Sequence, residues 1–158
     1  MTFSSIEEVK RIESENNLSV WMIEDYQSEL PRKDSIALIA IFEEKIIGFI
    51  VARLIMQEDF DIDSGEDLNN SNEAEIYNIA VKKDFQKIGV GQSLMEAFLC
   101  LVKKQTALKV WLEVRESNRL AFDFYQKNGF TEAYRRKNFY HSPVEDVLVM
   151  RLDLSDKK

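Results

Sequence analysis

Across 158 residues the chain has one cysteine, one histidine and two prolines. A lone cysteine, Cys100, leaves no internal disulfide. Its place between Leu99 and Leu101 in a helical pattern predicts a buried, reduced thiol. No apolar run approaches the roughly 20 residues that a membrane-crossing helix needs, so no membrane role is expected. Met1 to Glu15 is rich in Glu and Ser and has no apolar leader core, so no export signal is read there and a cytoplasmic protein is expected. Basic excess is missing as well: 21 Lys and Arg stand against 28 Asp and Glu, a net charge of −7. Direct nucleic-acid binding through a broad basic surface is therefore not expected.

What is present is enough apolar material, 45% of residues, for one compact soluble domain over 1–158. A chain of this length buries about two thirds of the surface its unfolded form exposes. The negative charge is concentrated. Eight acids lie between Glu58 and Glu75 with no Lys or Arg among them, and taking them from the 28 leaves 20 acids against 21 bases. Residues about 57–73 read as a polar loop that cannot bury enough apolar surface to offset its ordering entropy; a partner for it would be cationic.

Ile6, Val9 and Ile12 recur at helical spacing after Ser4 and Ser5, and a second helix fits Val20 to Leu30, closed by Pro31. Two strand-like runs, Ser35–Phe42 and Lys45–Met56, are separated only by Glu43 and Glu44, which predicts a hairpin with a turn that glutamates form poorly. A strand follows over about Ala74–Val81, then a helix over Gly89–Lys104 with Leu94, Phe98, Leu101 and Val102 as its stripe. In Leu108–Arg115, the residues Leu108, Val110, Leu112 and Val114 alternate with Lys109, Trp111, Glu113 and Arg115. Ser117 is the expected cap of a short helix running to Lys127, and Asn128-Gly129 its stop. Strands over about Phe130–Asn138 and Val144–Leu154 complete the order. That order predicts an α/β (α+β) fold: one mixed, mostly antiparallel sheet with helices on both faces.

The segment Gln86-Lys87-Ile88-Gly89-Val90-Gly91-Gln92-Ser93 sits between a strand and a helix start. Two glycines let the backbone approach a ligand, and successive amides at a helix start can cradle a diphosphate, with Lys87 or Gln92 adding side-chain contacts. A tight strand-to-helix turn explains the same pattern without any ligand. Two rival phosphate loops are absent. The dinucleotide fingerprint needs a glycine where Leu94 stands, and the Walker loop needs Gly-Lys-Ser/Thr where Gly91-Gln92-Ser93 stands.

Asn78-Ile79-Ala80-Val81, the Gln86-x-x-Gly89-x-Gly91 turn, Leu112-Glu113-Val114-Arg115-x-Ser117-Asn118 and Arg136-x-Asn138-Phe139-Tyr140 follow one another in order. Together they resemble the GNAT (GCN5-related N-acetyltransferase) superfamily, and within it the ribosomal-protein-alanine N-acetyltransferases (RimI type), over about residues 74–152. The resemblance implies a fold with a splayed cofactor cleft and acetyl-CoA as co-substrate, with no metal. It implies that main-chain groups of Ile79, Ala80 and Val81 hold the pantetheine arm, with the Val81 N–H polarising the thioester carbonyl. Gln86, Lys87, Ile88, Gly89, Val90, Gly91, Gln92 and Ser93 form the diphosphate turn, and Asn118 contacts coenzyme A. By the same resemblance Glu113 is the proton acceptor and Tyr125 the proton donor beside the cofactor. Trp21, Phe139 and Tyr140 are implied on the acceptor side.

Chemistry agrees with these roles. Amine attack on a thioester needs a base, a fixed N–H donor for the oxyanion and an acid for the departing thiolate. Asn118 and Tyr125 are seven apart, almost two helical turns, so they share a face. Each residue also has a plainer explanation: Tyr125 as a core aromatic, Glu113 with Arg115 as a solvated strand face, Phe139 and Tyr140 as strand packing. His141, the only histidine, reads as a surface residue. The chain departs from the family in its short or missing first strand, its long acidic insertion and the lack of a proline before Trp21.

The expected activity is acetylation of a protein N-terminal amine in a ternary complex with acetyl-CoA, by a monomer or homodimer. The acceptor named by the resemblance is the N-terminal alanine of small-subunit ribosomal protein number eighteen. A small amine acceptor (polyamine, amino acid or aminoglycoside) is the alternative, and a non-catalytic acyl-CoA-binding module the alternative from another class.

Overall fold

A computed structural model of the chain describes residues 1–16, 21–55 and 72–155. Helices are α1 (Ile6–Glu15), α2 (Ile23–Glu29), α3 (Val90–Lys104) and α4 (Arg119–Lys127). Strands are β1 (Ser35–Phe42), β2 (Lys45–Ile55), β3 (Asn72–Val81), β4 (Ala107–Arg115), β5 (Thr131–His141) and β6 (Val144–Asp153). They form one six-stranded sheet in the order β1-β2-β3-β4-β6-β5. The acidic stretch expected as a loop over 57–73 lies outside the described residues as far as Ser71, while Asn72 and Glu73 open β3. Among the described residues no strand precedes α1, and no helix is long and apolar enough to cross a membrane.

The chain divides into two compact units, one of Met1–Leu54 with Ile76–Gln105, the other of Ile55–Glu75 with Thr106–Lys158. In the first, α1 forms because Ile6, Val9 and Ile12 fall on one stripe, and that stripe packs with Tyr26, Phe49, Val51 and Ala80. Glu7 and Glu8 occupy its first turn, where the helix dipole favours negative charge. The β1–β2 hairpin closes through Glu43 and Glu44, with φ of +46° and +63°. Two left-handed residues match the twist of the paired strands, so the turn geometry overrides the poor preference of glutamate for it. In β2, a Cβ added to Gly48 would stand 3.0 Å from the Ala80 carbonyl oxygen and 3.2 Å from Leu94 Cδ1. A side chain here would push the end of β3 or the start of α3 back by a few tenths of an ångström, so glycine favours their close approach to β2.

Helix α3 buries Leu94, Met95, Phe98 and Val102, whereas Leu101 is exposed, so the stripe runs through Met95 rather than Leu101. Cys100 is exposed, not buried as expected. It lies two residues from Phe98, which is 200° round the helix and away from the packed face.

In the second unit β6 pairs antiparallel with both β4 and β5, placing Glu113 opposite Val149. Strand β4 buries Ala107, Val110, Leu112 and Val114. Leu108 is exposed, because the alternation slips by one residue at Leu108-Lys109. Asn118, not Ser117, caps α4, its Oδ1 accepting from the Ala121 amide at 3.2 Å. Gly129, at φ +89°, ends the helix as expected. Strand β5 runs on past its expected end to His141, passing a left-handed Asn138 at φ +53° where its register with β6 shifts.

Candidate functional site

The first unit contains the turn that the glycine pattern singled out. Lys87 and Gly89 both adopt left-handed backbone, at φ +62° and +99°, with Ile88 between them. Left-handed residues in a tight turn can bring N–H groups toward one side, a concavity that suits an anion. The turn leads into the 15-residue helix α3, with Gly89 as its cap. Val90, Gly91 and Gln92 occupy the first helical positions, whose amides have no carbonyl one turn back to bond. The Ser93 amide is the first to close onto the helix, on the Gly89 carbonyl at 2.9 Å. A Cβ at Gly89 would meet nothing within 4 Å, so the space above the turn is open, and the turn fits a diphosphate group. Lys87, Ile88, Gln92 and Ser93 are exposed around it.

Gln86 faces the other way. Its Nε2 donates to the Val81 carbonyl at 3.0 Å and to Asn16 Oδ1 at 2.8 Å. Asn16 Nδ2 donates to the same Val81 carbonyl at 3.2 Å. Two side-chain amides thus fix the end of β3, after the half-buried Ile79, the buried Ala80 and Val81 itself. A fixed main-chain segment is what a preorganised oxyanion donor requires.

Trp21 belongs to this unit too. Its ring lies 5.1 Å from that of Tyr26 and 5.5 Å from that of Tyr77. Its backbone is held at both ends: the N–H donates to Glu13 Oε1 at 3.1 Å, and the carbonyl accepts from Lys10 Nζ. Glu13 is 1% exposed and also accepts from Tyr26 and Asn78. This buried carboxylate escaped the sequence reading, since a glutamate beside an apolar stripe gives no sign of facing inward. Burial and the neighbouring Glu13 charge push the Tyr26 phenol well above its usual range.

In the second unit Glu113 is half-buried on the face of β4 that also carries Trp111 and Arg115. A hollow of about 140 Å³ there is lined by Ile55, Glu75, Trp111, Leu112, Glu113, Tyr134, Arg136 and Val149. Arg136 Nη1 lies 3.0 Å from Glu113 Oε1. The Trp111 indole donates to Glu73 Oε2 at 2.8 Å. Glu75 and Tyr134 were not anticipated as neighbours of Glu113; no spacing rule links β3, β4 and β5 before the pairing is known.

Tyr125 is buried in α4, its ring 5.6 Å from Phe124 and 5.8 Å from Phe130. Burial pushes its phenol well above the ordinary value, so the hydroxyl keeps its proton at neutral pH. Phe139 is exposed and meets the half-buried Tyr140 edge-on at 5.2 Å. The Arg115 guanidinium sits 3.5 Å from the Tyr140 ring centre. Neither aromatic lines the hollow around Glu113. His141 is exposed at the end of β5. Among the described residues no cluster of His, Cys, Asp or Glu has the makings of a metal site.

The acetyltransferase (GNAT) family model matches residues 6–130, and the chain belongs to that family. Among named relatives, the ribosomal protein bS18-alanine N-acetyltransferase of Escherichia coli strain K12 is 40% identical over 86 residues, 53% of this chain and 58% of the relative. The enzyme of that name from Haemophilus influenzae is 33% identical over 113 residues, 70% of this chain and 66% of the relative. In these matches the chain spans somewhat under two thirds of its relatives' length. The crystal structure of the ribosomal-protein-S18-alanine N-acetyltransferase from Escherichia coli superposes with a TM-score of 0.79 at 26% identity, covering 100% of this chain and 93% of that one.

Proposed function

We propose that this chain is an N-acetyltransferase that moves the acetyl group of acetyl-CoA to an amine. The acceptor we infer is the N-terminal α-amine of a protein in the cytoplasm, such as a small-subunit ribosomal protein. The reading treats 1–158 as one acetyltransferase domain. The turn at Lys87–Gln92 carries it: an open concavity of amides at the start of α3, with two left-handed residues, suited to the diphosphate of coenzyme A. The acceptor class rests on the names of the relatives.

The residues divide the work as follows. Amides 87–92 hold the diphosphate, with Lys87, Gln92 and Ser93 beside it and Asn118 touching the cofactor. Main chain of Ile79, Ala80 and Val81 takes the pantetheine arm. The acceptor arrives as an ammonium and gives one proton to the Glu113 carboxylate, directly or through water. Its neutral nitrogen attacks the thioester carbonyl, forming the C–N bond, while the Val81 N–H stabilises the oxyanion. The C–S bond breaks as Tyr125 gives its phenolic proton to the leaving thiolate, and the second proton shed by the new amide nitrogen returns to the Tyr125 oxygen, directly or through water. Trp21, Phe139 and Tyr140 border the acceptor in this scheme.

Release of free thiol from acetyl-CoA, followed across N-terminal peptides, polyamines, amino acids and aminoglycosides, tests the reading. A peptide beginning Ala-Arg is expected to react fastest, with turnover depending on side chains beyond the first residue. Glu113→Gln is expected to lower turnover by about 10²-fold or more. Thiol release with small amines alone would overturn the protein acceptor. Tight acetyl-CoA binding without thiol release for any amine would overturn catalysis itself.

A further inference from the structure

The carboxylate assigned as proton acceptor already has a cation on it. Arg136, from β5, reaches Glu113 on β4 with its Nη1 at 3.0 Å, and both line the same hollow. The guanidinium is steered from its own strand: its Nη2 is 3.5 Å from the Tyr134 hydroxyl, and its carbon 5.5 Å from the Phe139 ring centre. Glu75 is the second carboxylate of the hollow. Among the charged groups lining it are thus two carboxylates and one guanidinium, which keeps its charge at any working pH.

An acceptor ammonium that is to lose a proton to Glu113 has to come within hydrogen-bond reach of that carboxylate or of a water bonded to it. In a hollow of about 140 Å³ it meets a like charge already placed there. We propose that Arg136 is a positioning residue that occupies the acceptor's cation site: it holds Glu113 toward the hollow, and the acceptor's ammonium displaces it on binding. The hollow between Glu75 and Glu113 is then the seat of the protonated amine. This rests on the reading of Glu113 as proton acceptor. The side chains of Arg136 and Glu113 are 46% and 30% exposed, so the pair is of the weak, partly solvated kind. Removing the cation is expected to change acceptor affinity by about two- to five-fold.

The test is a double-mutant cycle on acceptor binding, read by titration calorimetry with a peptide beginning Ala-Arg in the presence of coenzyme A. Arg136→Gln is expected to tighten peptide binding by about two- to five-fold and to leave coenzyme A binding unchanged. Arg136→Lys keeps the charge and is expected to stay near wild type. In a Glu113→Gln background the effect of Arg136→Gln is expected to vanish. Weaker or unchanged peptide binding in Arg136→Gln overturns the proposal, as does an equal effect in both backgrounds. Full turnover by Glu113→Gln alone would instead remove Glu113 as the base, a distinct result read in the thiol assay. A wild-type protein that binds no peptide would remove the acceptor reading and this inference with it.

Discussion

Replacing Gly89 by aspartate and by alanine separates the turn's conformation from its chemistry. At φ +99° any L side chain is strained, and the left-handed penalty is about 1–2 kcal/mol. No steric term is added, because the new Cβ meets no atom within 4 Å. For a chain of 158 residues such a loss lowers the melting temperature by about 2–8 °C, somewhat less for Asp, which tolerates left-handed backbone better than Ala. The two variants also differ in charge. A carboxylate about 4 Å from a phosphate charge is worth about 1 kcal/mol of repulsion in bulk water and about 4 kcal/mol near a protein surface. Gly89→Asp is therefore expected to weaken acetyl-CoA binding at least about 5-fold beyond Gly89→Ala. Calorimetric titration of acetyl-CoA into the three proteins, with thermal melts alongside, reads both effects. Equal acetyl-CoA affinity for the Ala and Asp variants would refute the placement of a diphosphate at this turn.

Two further perturbations probe other parts of the molecule. Tyr125→Phe keeps the ring between Phe124 and Phe130 and removes only the hydroxyl, so turnover is expected to fall about 10²-fold with acetyl-CoA affinity little changed. Because burial raises that phenol above its ordinary value of 10.0, Tyr125 is expected to set no basic limb of the rate profile below that pH; such a limb in wild type but not in the Phe variant would contradict it. Glu13→Ala leaves Lys10 Nζ, the Trp21 amide and the Tyr26 hydroxyl without their buried acceptor, and is expected to cost about 3–5 kcal/mol in urea unfolding. A loss below about 1 kcal/mol would mean that water replaces the carboxylate.

Much of the fold was legible because its signals were local. The hairpin over β1 and β2, the glycine that starts α3, the Asn128-Gly129 stop and the alternation within β4 each depend on residues close in sequence. The differences arise where a neighbour in space decides. Asn118 took the cap from Ser117 because its side chain reaches the Ala121 amide. Cys100 and Leu101 turned outward because Met95 supplied the missing edge of the packed stripe. For the candidate site, the glycines and the order of segments singled out the turn, and the family resemblance made Glu113 and Tyr125 candidates. The cation on Glu113 and the carboxylate beneath Trp21 remained hidden. The first is an ion pair between two strands and the second a carboxylate that accepts from the Trp21 amide, Tyr26 and Asn78; a single sequence carries no mark of which of these groups will meet.

Strand β5 ends the sheet, and every residue from Thr131 to Phe139 along it is exposed. Such a margin presents unpaired main-chain groups to any passing strand. Here Arg135, Arg136 and Lys137 stand in succession, and the left-handed Asn138 follows at once. Arg135 and Arg136 are each paired with carboxylates, so it is the bend, with Lys137 beside it, that interrupts any long flat pairing. The left-handed Asn138 that shifts the register of β5 against β6 thus also limits edge-to-edge pairing along this margin.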